Sequence, residues 1–116
     1  MTSERALSVD VEQDGDLTVV RLTGELDVST TGGVRTVLDD LLIDGAPRLV
    51  VDLTALDFMD SAGLGLLVRT HRQARTFRGA FAVVCHEGIV THLLSMTGLA
   101  HVIRVFSSVQ DAAAAM

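Results

Sequence analysis

The residues that could do chemistry stand together near the middle of the chain, where a hydroxyl lies between a carboxylate and small residues. The stretch from Leu56 to Gly65 reads Leu-Asp-Phe-Met-Asp-Ser-Ala-Gly-Leu-Gly and separates an apolar run over residues 49–53 from an apolar helical pattern over about 61–76. Asp60 or Ser61 can cap this helix, because either side-chain oxygen can accept a hydrogen bond from an unpaired backbone N–H group. The free N–H groups also carry partial positive charge, which favours an anion at the start of the helix. Ser61 is therefore either a plain helix cap or a hydroxyl that phosphorylation can turn into such an anion.

The elements around this stretch alternate between strand and helix. Apolar residues at positions 7, 9 and 11 predict a strand, which a short turn joins to a second strand over 17–23 as an antiparallel hairpin. Further strands are predicted over 49–53, 81–85 and 102–106, and helices over about 34–42, 61–76 and 89–96, with a terminal alanine helix after a capping box of Ser108 and Asp111. This order predicts an α/β fold with a mixed sheet of four to five strands, in which parallel βα units follow the hairpin, and about four helices. We expect residues 1–116 to form a single domain.

Acidic residues follow the predicted ends of three strands. Because the carboxyl ends of parallel strands meet at one edge of a sheet, these acids could gather around Ser61. They are Glu25, Asp27, Asp57, Asp60 and Glu87. The alternative interpretation is that they are ordinary solvated acids of loops.

Two other features of the predicted second helix have open interpretations. Gly63 and Gly65 would each weaken a helix interior by about 1 kcal/mol relative to alanine. They either keep the helix start bare for a partner backbone or allow tight packing of the loop on the helix. Arg69, Arg72 and Arg75 recur every three residues. They either meet acidic groups of a partner or form a solvated face that complements the negative end of the helix.

Composition and charge exclude several classes of function. The formal net charge of −6 argues against nucleic acid or an anionic membrane as the partner. All nine basic residues are arginine, so the chain lacks the lysine of a phosphate-binding loop, of a Schiff-base enzyme and of a receiver domain. The single cysteine allows no intrachain disulfide, and the four histidines show no metal-ligand spacing, so we expect neither a metal nor a cofactor. The N-terminus lacks the apolar core of a signal peptide and no window reaches the ~18 apolar residues of a membrane span, so we expect a cytoplasmic protein.

Three motifs, in this order along the chain, resemble those of a known family. Residues Arg21 to Asp27 read Arg-Leu-Thr-Gly-Glu-Leu-Asp and resemble the second-strand motif of the STAS domain family. Residues Asp57 to Gly65 resemble the family's phosphorylation-site motif, in particular that of the bacterial anti-sigma factor antagonists. Residues Met96 to Phe106 resemble the family's ending. The resemblance implies a compact α/β fold with a mixed sheet and helices layered against it.

The resemblance further implies a binding switch rather than an enzyme. In the family, the serine that matches Ser61 is phosphorylated by a partner anti-sigma factor that is also a serine kinase, and a serine phosphatase resets it. The unphosphorylated form binds the anti-sigma factor and so releases a sigma factor for transcription. The protein is expected to be a monomer when free, with a homodimer as the open alternative. The resemblance favours Asp27 and Asp60 for the kinase contact, and the expected partner-binding residues are Glu25, Asp27, Asp60, Ser61, Ala62, Gly63 and Leu64.

Two rival functions compete with this interpretation. A serine hydrolase reads Gly-x-Ser-x-Gly around its nucleophile, but Met59 occupies the first glycine position and no local pattern ties a histidine to Ser61. A regulatory STAS module in another signalling scaffold would carry the same motifs without being phosphorylated.

Overall fold

A five-stranded mixed sheet forms the centre of the structure, a computed structural model that describes residues 6–116. Its strands lie in the order β1 (Leu7–Asp14), β2 (Leu17–Leu26), β3 (Arg48–Met59), β4 (Ala80–Val84) and β5 (Arg104–Phe106). β1 and β2 are antiparallel, and each later pair of neighbours is parallel. The helices are α1 (Thr31–Ile43), α2 (Ser61–Thr76), α3 (Ile89–Met96) and α4 (Val109–Ala115), with a 3-10 turn at Leu99–His101. The predicted α/β fold is confirmed for this part of the chain.

Helices cover the two faces of the sheet unequally. On one face, α1, α2 and α3 pack over the main core, in which the sheet contributes Val20, Leu22, Leu49, Val51 and Leu53 among others. On the other face, α4 covers a smaller cluster that contains Leu17, Val19, Val50, Val84 and Ala112. The first half of β3 supplies side chains to both clusters. Its sequence is nearly all apolar because a strand buried on both faces needs apolar residues on both.

β3 continues well beyond the apolar run that predicted it, so the expected end at residue 53 is wrong. Its second half pairs with β2 alone, as far as Leu26 opposite Met59, whereas β4 ends opposite Asp52. Two register shifts in the β2–β3 pairing each place an extra residue in β3, and such bulges bend the strand. Burial alternates along this second half, which is covered on one face only. Its sequence therefore mixes polar and apolar residues and, without the pairing to β2, resembles that of a loop.

Gly24 stands where β2 passes the start of β1. Its φ is +115°, and an added Cβ would lie 2.2 Å from the backbone oxygen of Ala6. Only glycine adopts this conformation without steric cost. The same oxygen accepts a hydrogen bond from the N–H group of Glu25 at 3.0 Å. Gly24 is therefore required for the path of the chain into the end of β2, which leads to the functional site.

Candidate functional site

Ser61 is the first residue of α2 and follows directly after the end of β3. Asp60 caps this helix, because its Oδ1 accepts hydrogen bonds from the N–H groups of Ala62 at 2.9 Å and Gly63 at 3.3 Å. Of the two candidate caps, Asp60 is thus the one that is used. Ser61 is exposed, and its hydroxyl makes no hydrogen bond with any of residues 6–116. An exposed hydroxyl that has no structural task is available to another molecule.

The loop from β2 to α1 lies directly beside this junction, because the N–H group of Asp60 donates to the backbone oxygen of Leu26 at 3.3 Å. Within the loop, Asp27 is buried. Its Oδ1 accepts hydrogen bonds from Ser29 N at 2.9 Å and from Ser29 Oγ at 2.6 Å. The Asp27 N–H group donates to Thr30 Oγ1 at 2.9 Å and closes the turn. These contacts fix the shape of the loop next to Ser61.

Gly63 and Gly65 both lie near the start of α2 but have different surroundings. Gly63 is buried, and an added Cβ would lie 2.6 Å from Met59 Cγ and 3.1 Å from Leu26 Cδ2. Nothing lies within 4 Å of a Cβ added at Gly65. The structure therefore favours tight packing as the reason for Gly63, whereas Gly65 leaves open space above the helix backbone.

Two of the predicted acids lie in the strand ends that lead to Ser61. Glu25 is half-buried and Asp57 is exposed, and both lie on the β2–β3 end of the sheet that carries Ser61. β4, which leads to Glu87, ends opposite Asp52, and β3 ends at residue 59. At about 3.3 Å per residue, the end of β4 is on the order of 20 Å from the end of β3. The two strands therefore end at different levels, and the expectation that Glu87 gathers near the serine stays a prediction.

The β2–α1 loop exposes an apolar side chain that the sequence motifs do not indicate. Val28 is 80% exposed in that loop, and Ala62 and Leu64 are half-buried at the start of α2. A large apolar residue between two polar residues of a predicted loop was the signal that could have indicated it. Val28 is thus an exposed apolar residue of the loop whose start is hydrogen-bonded to the junction before Ser61.

A groove between the starts of α1 and α2 is not indicated by the motifs either, and we call it the α1–α2 groove. It has a volume of about 220 Å³ and is lined mainly by Thr31, Gly32, Arg35, Ala62, Gly65 and Arg69. No local sequence pattern indicates such a groove, because it depends on how two helices that are distant in sequence pack together.

We also searched residues 6–116 for a metal site, a reactive thiol and a membrane-spanning helix. Within residues 6–116, no group of three or more His, Cys, Asp or Glu side chains could hold a metal ion. Burial raises the pKa of the Cys85 thiol, although a hydrogen bond from Thr91 opposes this effect. Within the same residues, no helix combines the length and the apolar character needed to cross a membrane.

The mixed sheet, with a serine at the start of its second helix, defines a domain of the STAS type. Residues 8–112 match the family model of the STAS domain, and the chain therefore belongs to the STAS domain family. The family resemblance seen in the three sequence motifs is confirmed.

Relatives and solved structures of similar length carry related names. The anti-sigma-F factor antagonist RsfB of Mycobacterium tuberculosis is 27% identical over 112 residues, which cover 97% of this chain and 91% of that protein. The anti-sigma F factor antagonist of Paenibacillus polymyxa is 31% identical over 103 residues, which cover 88% of each chain. The crystal structure of an anti-sigma factor antagonist from Mycobacterium paratuberculosis superimposes with a TM-score of 0.89 at 28% identity, covering 95% of this chain and 93% of that one.

Proposed function

We propose that this chain is an anti-sigma factor antagonist, a non-enzymatic binding switch controlled by phosphorylation of Ser61. The names of its relatives support this function over nearly the whole chain. The single observation that carries the phosphorylation step is the exposed Ser61 hydroxyl, which is relieved of helix capping by Asp60. In this proposal the unphosphorylated protein, a single cytoplasmic domain, binds an anti-sigma factor that is also a serine kinase. A sigma factor is thereby released for transcription, and a serine phosphatase resets the phosphorylated protein.

The proposed partner-binding surface surrounds Ser61 and has exposed and supporting parts. Ser61 and Val28 are exposed, and both can touch a partner directly. Asp27 and Gly63 are buried, so they support the surface by ordering the loop and by seating the helix. The whole set comprises Glu25, Asp27, Val28, Asp60, Ser61, Ala62, Gly63 and Leu64.

Charge alone is sufficient for the proposed switch. Phosphorylation adds about −1.5 to −2 units of charge near neutral pH. If a partner carboxylate lies about 5 Å away at an effective dielectric constant near 20, each added unit costs about 3 kcal/mol. That cost corresponds to a roughly hundredfold loss of affinity. The favourable contribution of the helix start to the phosphate is only about 0.3–2 kcal/mol, so the modification affects binding more than it affects folding.

The surroundings of Ser61 do not support a hydrolase. A serine nucleophile needs a base within hydrogen-bond distance, and the Ser61 hydroxyl has no hydrogen-bond partner in the described part of the chain. Met59 is buried in the position where a hydrolase motif has its first glycine. We therefore assign Ser61 the role of phosphate acceptor.

The test begins with a pull-down in which the unmodified and the phosphorylated protein are compared as baits for anti-sigma factors. The purified protein is then incubated with ATP and the recovered kinase, and the phosphate is mapped by mass spectrometry. We expect one phosphate, on Ser61. Ser61→Ala should abolish it and keep the partner bound, whereas Ser61→Asp should weaken binding about as the phosphate does. Ser95→Ala, at another exposed serine on α3, is the matched control and should behave as the wild type.

Two results would reject parts of the proposal. A phosphate that maps away from Ser61, or phosphorylated protein that binds as tightly as unmodified protein, would remove the switch. Partner binding without any phosphorylation would instead favour a regulatory STAS module that serves another signalling scaffold.

A further inference from the structure

The α1–α2 groove carries positive charge that the protein itself only partly neutralises. Arg69 Nη1 contacts Asp39 Oδ1 at 2.6 Å, whereas Arg35 Nε lies 3.9 Å from the other oxygen of the same carboxylate. Two guanidinium groups therefore share one carboxylate, which leaves about one net positive charge at the groove. The side chain of Arg35 is 57% exposed, so its remaining N–H donors face solvent. This local charge stands on a chain whose net charge is −6.

The groove has room for a side chain that is not its own. A Cβ added at Gly32 or at Gly65 would meet nothing within 4 Å, so space remains above the backbone of both helices. The volume of about 220 Å³ equals roughly seven water molecules at their volume in the liquid. A carboxylate side chain can therefore enter and approach Arg35, whose planar fork of donors matches a carboxylate with two parallel hydrogen bonds.

The groove also lies next to the serine. Ala62, the residue after Ser61, lines it, and so does Gly65, which is one helical turn further along the same face of α2. A charged group in the groove would therefore sense a phosphate on Ser61. The charge mechanism proposed above needs a partner carboxylate at such a position.

We propose that the α1–α2 groove receives an acidic side chain of the anti-sigma factor, which pairs with Arg35. This inference rests on the proposed function and supplies the partner's charge in its mechanism. Phosphorylation of Ser61 then repels the docked carboxylate and competes with it for Arg35, which releases the partner without a change of fold. Asp39 is the internal competitor for the same arginine.

The test measures the affinity of the full unphosphorylated chain for the anti-sigma factor recovered in the pull-down, by isothermal titration calorimetry. Arg35→Glu should weaken binding at least tenfold, and Arg35→Gln should weaken it less. Arg72→Glu is the matched control, because Arg72 is exposed on α2 and does not line the groove; it should stay within twofold of the wild type. Thermal unfolding of each variant verifies that it is folded.

A second pair of variants tests the competition in the opposite direction. Asp39→Asn removes the internal competitor and should tighten binding severalfold, whereas Asp40→Asn, on the exposed side of α1, should leave it unchanged. Replacing the matching acidic residue of the anti-sigma factor by arginine should restore binding to Arg35→Glu, as expected for residues in direct contact.

The outcomes separate this inference from the proposed function. If the wild type binds the anti-sigma factor and Arg35→Glu binds equally well, or loses no more than Arg72→Glu, the groove is not the docking site although the function stands. If the wild type binds no anti-sigma factor at all, the proposed function fails and this inference fails with it.

Discussion

Alanine at Gly65 and alanine at Gly63 should change the stability of the protein in opposite directions, although the two glycines are neighbours in α2. Replacing a helical glycine with alanine gains about 0.5–1 kcal/mol because the unfolded chain loses conformational freedom. At Gly65 the new methyl group meets nothing within 4 Å, so this gain is expected in full. At Gly63 it would lie 2.6 Å from Met59 Cγ and 3.1 Å from Leu26 Cδ2.

Both neighbours of Gly63 are buried, so they cannot move aside into solvent. Overpacking of this kind costs about 1–3 kcal/mol, which exceeds the gain from helix propensity. We therefore expect Gly63→Ala to lower the free energy of unfolding by about 1 kcal/mol net. The cost of overpacking should lie near the lower end of its range, because the flexible Met59 side chain can adjust.

Urea unfolding and thermal melting of the two variants beside the wild type would measure the difference. The melting temperature of Gly65→Ala should rise by about 2–5 °C for a domain of this size, and that of Gly63→Ala should fall by a similar amount. Equal shifts of the same sign in the two variants would contradict the packing argument. If Gly65→Ala is more stable but binds the anti-sigma factor less tightly, the open space at this residue serves the partner.

Three further predictions concern the rest of the fold. Arg78 has a φ of +62° at the end of α2, so Arg78→Gly should stabilise the protein by about 1 kcal/mol in urea unfolding; a loss would contradict this. Arg21 Nε contacts Asp52 Oδ2 at 3.1 Å, and the Asp52 side chain is only 5% exposed. Arg21→Met should therefore cost about 1–3 kcal/mol in the same assay because it removes the partner of a buried carboxylate, and no loss would mean that solvent already screens the pair. Because burial raises the pKa of the Cys85 thiol, the unfolded chain ionises first, so stability should fall above about pH 8.5, and it should fall less in Cys85→Ala.

Local signals predicted most of the fold, and the exception has a non-local cause. The bounds of α2 follow from a polar cap and an apolar period, both of which are local in the sequence. The end of β3 does not, because its second half remains a strand only through pairing with β2, with two bulges in the register. Strand pairing joins residues far apart in sequence, so a single apolar run marks only the part of β3 that is buried on both faces.

The same distinction applies to the site. The motif around Ser61 was visible in the sequence, but it left open whether Asp60 or Ser61 caps the helix, because both side chains can accept the bond. The structure decides this point through the extended backbone of Asp60 and its two hydrogen bonds. The α1–α2 groove could not be predicted, because Arg35 has the spacing of a solvated residue and lines a groove only once α2 packs beside α1.

The choice of Asp60 as the cap determines where a phosphate on Ser61 can go. The N–H groups of Ala62 and Gly63 would otherwise attract the phosphate, but the Asp60 carboxylate already accepts hydrogen bonds from both. A carboxylate and a phosphate of charge about −1.5 to −2 that lie about 6 Å apart in water repel by about 1.0–1.4 kcal/mol. The phosphate should therefore gain little from the helix start and stay free to act on Arg35 and on the carboxylate docked beside it.

A cycle of variants can test, without a kinase, whether Asp60 keeps an anion at position 61 away from the N–H groups of the helix start. Ser61→Glu, which places an anion at the first helical position, is made in the wild type and in Asp60→Ala. In the wild type the anion should change the free energy of unfolding very little, because Asp60 occupies the N–H groups and repels it. In Asp60→Ala the freed N–H groups should make the same substitution stabilising by about 0.5–1 kcal/mol. Equal increments in the two backgrounds, measured by urea unfolding, would show that Asp60 does not exclude an anion from the helix start.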